Sequence, residues 1–306
     1  MLITGDRILE PNETVFLGLL NATGNAGIGP RNSAQLIIHD GPSFFPGNPA
    51  NPVDVSSFYA DQHYHDFLNR ISDLSGLSFW TTNIESCGTD AQCREVRRID
   101  TSAAFFLSIE FQRTGFLVYR LYKASLPATA PRPRALPRYR EFVRDTQTIG
   151  RGLIVLNPGW EQLLEANTVD FINSFVSRDE FLANYPLTLS PAQYVEKLNT
   201  QAGGVLTTTE RDALVNRLVT QQESRATVLR KVAENVTFTN AEFNRAFVLM
   251  QYFGYLRRSP DDAPDTNFGG FDFWLAKLNQ FGGDYRAAEM VKAFINSAEY
   301  RNRFGQ

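Results

Sequence analysis

The chain has 306 residues, 43% of them hydrophobic, with 24 Phe, 11 Tyr and 3 Trp to fill cores, a length that suits about two ordinary domains. A formal charge of −3 and a pI near 5.7 give no basic field for a nucleic-acid backbone. The longest apolar runs, such as 103–107 and 246–250, fall far short of the roughly 20 residues of a membrane helix, so neither a nucleic-acid partner nor membrane insertion is expected.

Residues 1–41 read as a short antiparallel β segment. T-V-F-L-G-L-L (14–20) and A-Q-L-I-I (34–38) are strand-like runs separated by the turn material A-T-G-N-A-G-I-G-P-R-N-S. A Pro/Gly linker over 42–52 then ends regular structure. The N-terminus carries an acid, Asp6, where a secretion signal would have its apolar core. The protein is therefore expected either to stay in the cytoplasm or to have its start, and a signal, upstream of Met1.

From Val53 onward the periodicity is helical and it repeats. A first helical unit spans 53–126, a Pro-rich linker 127–137, and further units 138–306, the last at 247–306. Tyr-x-x-x-Leu occurs at Tyr64/Leu68, Tyr122/Leu126, Tyr194/Leu198 and Tyr252/Leu256, each pair sharing one helix face. Helical stretches at 101–111, 171–181, 228–238 and 290–300 follow in step, three of them closing on Glu-aromatic: Glu110-Phe111, Glu180-Phe181 and Glu299-Tyr300. The fold class is thus mainly α, an array of degenerate helix–loop–helix units behind a partial β-sandwich, each unit burying its apolar face by stacking on its neighbours. Units one and four share most: Tyr64, Leu68, Arg70, Gly76 and Trp80 return as Tyr252, Leu256, Arg258, Gly270 and Trp274. Arg70 and Arg258 are expected to form inter-helix salt bridges with Glu110 and Glu299.

The elbow S-P-D-D-A-P-D-T-N-F-G-G-F-D-F-W (259–274) offers oxygen ligands at Asp261, Asp262, Asp265, Asn267 and Asp272, the donors calcium prefers. An EF-hand register starting at Asp265 fails, because its twelfth residue is Ala276 rather than Glu. The matching loop of unit one, S-D-L-S-G, omits most of these acids, so a structural elbow outweighs a weak metal site at Asp261, Asp265 and Asn267. His63-x-His65-Asp66 suggests a metal by composition, but residues two apart on a helix point about 200° from each other. Cys87 and Cys93 flank Gly-Thr-Asp turn chemistry and can reach disulfide distance; two free thiols are the alternative, and two thiolates alone do not make a zinc site. The chain contains no phosphate loop, nucleophile elbow or dinucleotide fingerprint.

The pattern Y-x-x-x-L-x-R, then Asp, Gly and Phe-Trp, then Ser-x-Glu-aromatic, resembles family 4214 of the domains of unknown function, bacterial helical modules of cell-surface and exported proteins, and also phycobilisome linker domains. Residues 64–111 and 252–300 carry it. The stretch D-R-I-L-E-P-N-E-T-V-F-L-G-L-L-N, followed by S-A-Q-L-I-I-H-D, resembles the C-terminal part of a Calx-beta repeat, an antiparallel sandwich able to bind calcium. That resemblance implies Asp6, Glu10, Glu13 and Asp40 at its acidic positions, with calcium as the one cofactor. The resulting expectation is a non-catalytic scaffold or interaction module of a bacterial surface or exported protein, contacting protein or glycan. The alternatives are a carbohydrate-active or other hydrolytic enzyme drawing acids such as Asp73 and Asp261 from separate units, and calcium-dependent adhesion through the β segment.

Overall fold

The computed structural model describes residues 51–304 and, upstream, the backbone of two strands, β1 (Glu13–Gly18) and β2 (Ser33–Ile38). The strands pair antiparallel with Val15 opposite Leu36. The rest of the 1–41 segment and the 42–52 linker up to residue 50 lie outside the described residues, and with them Asp6, Glu10 and Asp40; of Glu13 only the backbone is described.

From Asn51 the protein is mainly helical, and its helices can be grouped from one Tyr-x-x-x-Leu pair to the next, which ends the first group at α4 and puts α5, inside the expected 53–126 unit, in the second. The first holds α1 (Ser56–Phe67), α2 (Leu74–Glu85), α3 (Ala91–Leu107) and the short α4 (Ile109–Arg113). The second holds α5 (Gly115–Ser125), α6 (Tyr139–Ile149), α7 (Trp160–Val176) and α8 (Asp179–Asn184). The third comprises α9 (Pro191–Gln201), α10 (Thr208–Val219), α11 (Arg225–Ala233) and the start of α12 (Val236–Gln251). The fourth takes the end of α12 with the wide π turn Tyr252–Leu256, then α13 (Gly269–Gln280), α14 (Met290–Ile295) and α15 (Ala298–Arg301). The single helix α12 is thus shared by the third and fourth groups.

The Glu-aromatic dipeptides, and Thr237-Phe238 in the third unit, stand at helix starts instead of helix ends. Ser108, Asn235 and Ser297 each break the preceding helix and accept a hydrogen bond from the backbone N–H three residues on, at Phe111 (3.1 Å), Phe238 (3.2 Å) and Tyr300 (3.1 Å). A side-chain oxygen that competes for backbone donors favours such a helix start over a helix interior. The cap fixes the direction in which the buried ring of Phe111, Phe238 or Tyr300 enters the core.

The packing departs from a linear stack. Unit one lies against unit four, α1 on the Tyr252–Leu256 turn and α3 on α14, while unit two lies against unit three, α5 on α9 and α11 and α7 on α11. The two pairs meet through α12 on α5 and through Phe106 of α3, whose ring stands edge-on to Phe243 and Phe247. One apolar core results, running from Val53 to Tyr300. At its centre the fully buried Tyr255 stands edge-on to Phe67, 5.3 Å between centroids, and to Tyr300, 4.7 Å. Gly254 allows this closeness, since a Cβ there would lie 2.7 Å from the Phe67 ring. The Pro-rich stretch 127–137 is packed down rather than spacing domains apart: Arg132, Ala135 and Leu136 are buried.

Candidate functional site

In units one and four the shared residues build one arrangement twice. At the end of α1 the N–H groups of Leu68 and Arg70 both return to the Tyr64 carbonyl, at 3.1 and 3.3 Å, with Asn69 between them in left-handed backbone (φ 54°). Arg257 holds the same conformation (φ 52°) after Leu256. That reversal turns the next residue back across its unit. Arg70 Nε and Nη2 donate to the two carboxylate oxygens of Glu110 at 2.7 and 2.9 Å, and Arg258 Nε and Nη2 to Glu299 at 2.6 and 3.0 Å. Forked pairing of this type suits the rigid guanidinium and ties the first helix of a unit to its short fourth helix. Unit two has its own version, Arg132 with Glu180. Unit three has Thr237 where the others have Glu.

Each guanidinium also lies over the unit's tyrosine, 4.8 Å from Tyr64 for Arg70 and 5.6 Å from Tyr252 for Arg258. The tyrosine hydroxyl in turn rests on the shared glycine. A methyl group at Gly76 would run into the Tyr64 hydroxyl, and one at Gly270 would sit 2.5 Å from Tyr252 Oη. Beyond the glycine, Trp80 packs beside Phe105 (5.7 Å) and Trp274 beside Phe294 (5.9 Å). Each of those phenylalanines meets its unit's tyrosine edge-on. Phe79 and Phe273 stand edge-on to their tryptophans at 4.9 and 5.0 Å, yet are 60% and 58% exposed. Leu74, Leu156 and Leu187 are more exposed still, but Phe79 and Phe273 are left in water at the same place in two units.

The acid-rich elbow is an arginine clamp. Arg138 Nη1 donates to both oxygens of Asp261, at 2.7 and 2.9 Å, and Arg138 Nη2 bonds Asp262, which also accepts from the Ser259 N–H at 2.8 Å. Asp265 is taken by Arg258 at 2.8 Å and Asp272 by Arg134, whose hydrogen bond lowers the Asp272 pKa. Asn267 accepts from the Gly269 N–H at 2.7 Å, opening α13. A guanidinium therefore lies on each of these four carboxylates. Among the described residues, no group of three or more His, Cys, Asp and Glu side chains could hold a metal ion. The partners themselves, Arg134 and Arg138, went unrecognised in the Pro-rich stretch; the signal was there, since P-R-P-R-A-L-P-R is the charge complement of P-D-D-A-P-D.

The remaining singled-out side chains are equally committed. His63 is buried between the Tyr59 carbonyl (2.7 Å) and the Tyr255 hydroxyl (2.9 Å), and burial depresses its pKa to about 4. Tyr255 also bonds Ser102, so these four residues lock unit one to unit four. His65 pairs with Asp61 at 3.6 Å and Asp66 with Arg257 and Arg303, which separates the three residues proposed from composition as a metal set. Asp73 caps α2 through the Gly76 N–H (2.8 Å) and the Ser75 hydroxyl (2.8 Å). Cys87 and Cys93 are joined by a disulfide, their Cα atoms 5.6 Å apart, across the α2–α3 turn. Beside it Glu85 binds Arg94 through both oxygens (2.8 and 2.9 Å) and also the Ser56 hydroxyl, and the Arg94 contact leads in lowering its pKa to about 2.

No described helix is long and apolar enough to cross a membrane. Compared with family models, curated proteins and solved structures, the chain matches none.

Proposed function

We propose that the protein is a non-catalytic helical scaffold of a bacterial surface or exported protein, contacting a protein or glycan through matched aromatic patches. The observation that carries this reading is the repetition of Phe79 and Phe273, half-exposed at equivalent positions and each braced by a tryptophan. Rigid exposed rings supply contact area at little entropic cost, which is how aromatic residues come to anchor interfaces. The charged side chains lend support from the other direction. Arg70, Arg258, Glu110, Glu299, Asp261 and Asp265 hold helices together, and the acids singled out for an enzymatic alternative, Asp73 and Asp261, cap a helix and grip an arginine. The resemblance of residues 64–111 and 252–300 to exported helical modules points to the same compartment.

The test uses the whole chain and the double variant Phe79→Ser/Phe273→Ser, which alters exposed rings. Binding to isolated bacterial envelopes should fall sharply while thermal stability holds. Undiminished binding by the variant would remove the patches from the proposal. Turnover of a glycan panel by purified protein, lost on Asp261→Asn, would replace it with the enzymatic reading. Calcium binding through the β segment predicts heat on calcium titration and a melting temperature lowered by chelator.

A further inference from the structure

A second feature, where the first half of α12 meets α13, carries a more specific reading. Two pairs of side chains spaced four residues apart face each other across α12 and α13: Asn240 and Asn244 on the first helix, Leu275 and Asn279 on the second. They line a groove of about 370 Å³ with Phe243 and Arg245. That volume lies at the lower end of the roughly 300–1,000 Å³ of small-ligand sites. Asn244 Nδ2 donates to Asn279 Oδ1 at 2.8 Å, bridging the helices and orienting both amides. The half-buried Phe243 is held from below by Phe106 (5.3 Å) and Phe116 (5.8 Å), so its ring is a fixed apolar floor. Among the described lining residues the cation is Arg245, which pairs with Glu242 at 2.9 Å; the other Glu242 oxygen accepts from the buried Tyr119 hydroxyl at 2.6 Å.

We infer that this groove is a subsite for a neutral saccharide. Its chemistry is selective: the Arg245–Glu242 pair adds no net charge to the lining, and three amides discourage a purely apolar ligand. Planar amides that both donate and accept match adjacent sugar hydroxyls, while Phe243 and Leu275 suit the C–H face of a sugar ring. A peptide offers amide complementarity too, but an i to i+4 pair spans only about 6 Å of helix, which favours a ring over an extended strand. The site does not depend on the exposed phenylalanines. Phe273 is two residues from Leu275 and so points about 200° away around α13.

The experiment follows the side-chain amide resonances of the whole chain by NMR during titration with glucose, galactose, mannose and N-acetylglucosamine and their disaccharides. At least one sugar should move the Asn240, Asn244 and Asn279 signals. Asn240→Ala and the near-isosteric Asn279→Asp should each weaken that sugar about tenfold, the value of one hydrogen bond. Phe79→Ser/Phe273→Ser should leave it unchanged, so that this site and the aromatic patches fail separately. Silence of all three amides at saturating sugar would overturn the inference, as would affinity unaltered in both Asn variants. N-acetyl-diglycine amide binding as tightly as the best sugar would overturn it in favour of a peptide groove.

Discussion

Gly270→Ala offers the sharpest test of why unit four is built as it is. In the middle of an exposed helix the change would help, because Ala is favoured over Gly by roughly 1 kcal/mol. Here the new Cβ would lie 2.5 Å from Tyr252 Oη. The tyrosine cannot swing aside: it is 3% exposed, with Phe271 and Phe294 against its ring and Arg258 over its face. Overpacking of this kind costs about 1–3 kcal/mol. With Tyr252→Phe in place, the nearest remaining atom is Cζ at 3.8 Å, an ordinary contact. The same Gly270→Ala should then stabilise by about 0.5–1 kcal/mol. Urea unfolding of the four proteins of the cycle should therefore give a coupling of about 1.5–4 kcal/mol. Unit one supplies a control, since at Gly76 the Tyr64 Cζ and Asp73 Oδ1 both remain at 3.1 Å, and Tyr64→Phe should rescue Gly76→Ala less fully. Additive effects at Tyr252 and Gly270 would refute the steric account of the shared glycine.

Three further outcomes are expected. Arg70→Ala leaves Glu110, which has 7% of its side chain exposed, without its guanidinium and should destabilise by about 3 kcal/mol, with Glu110→Gln recovering part of the loss in chemical denaturation. His63 stays neutral in the folded protein down to about pH 4 but takes up a proton near pH 6.5 when unfolded. Stability should accordingly fall by up to about 3 kcal/mol as pH drops from 6.5 to 4, and the slope should flatten in His63→Gln; equal slopes would dismiss the histidine as its source. Replacing both cysteines by Ser should cost about 2 kcal/mol, the entropy of a loop closed across a sequence separation of 6, and the same loss should appear on reduction of the unaltered protein.

The ion pairs of Arg70 with Glu110 and Arg258 with Glu299 were legible in the sequence because two copies place the same residues at nearly the same offsets. The elbow of unit four was legible as a departure from unit one, whose loop dispenses with most of the acids. The clamp was hidden because Arg134 sits within, and Arg138 directly after, a segment whose prolines read as a spacer, while Asp261 lies 123 residues from Arg138. Charge complementarity between the two segments was a signal, but local pattern alone does not say that two such distant segments meet. The same limit explains the missed pairing of unit one with unit four: stacking needs only an apolar face, whereas the observed partner depends on Gly254 admitting the Phe67 ring and on Tyr255 reaching His63. Helix boundaries at Ser108 and Ser297 were misplaced because periodicity runs across a cap without interruption. The groove of Asn240, Asn244 and Asn279 joins two helices that no motif connects.

The pairing of the outer units also governs how the helical body would bear a load. Asn51 Nδ2 donates to the Arg301 carbonyl at 2.9 Å, and Arg301 grips Asp54 through both oxygens at 2.8 and 2.7 Å, so the chain enters and leaves the body side by side. A body with adjacent ends can be spliced into a surface loop of another protein without prising it open. Pulled by those ends, it would unzip from one seam: the Asp54–Arg301 fork first, then Asp66 from Arg303 and Arg257, then the rings around Tyr255. Units two and three, off the line of force, would still be folded when the outer pair had parted.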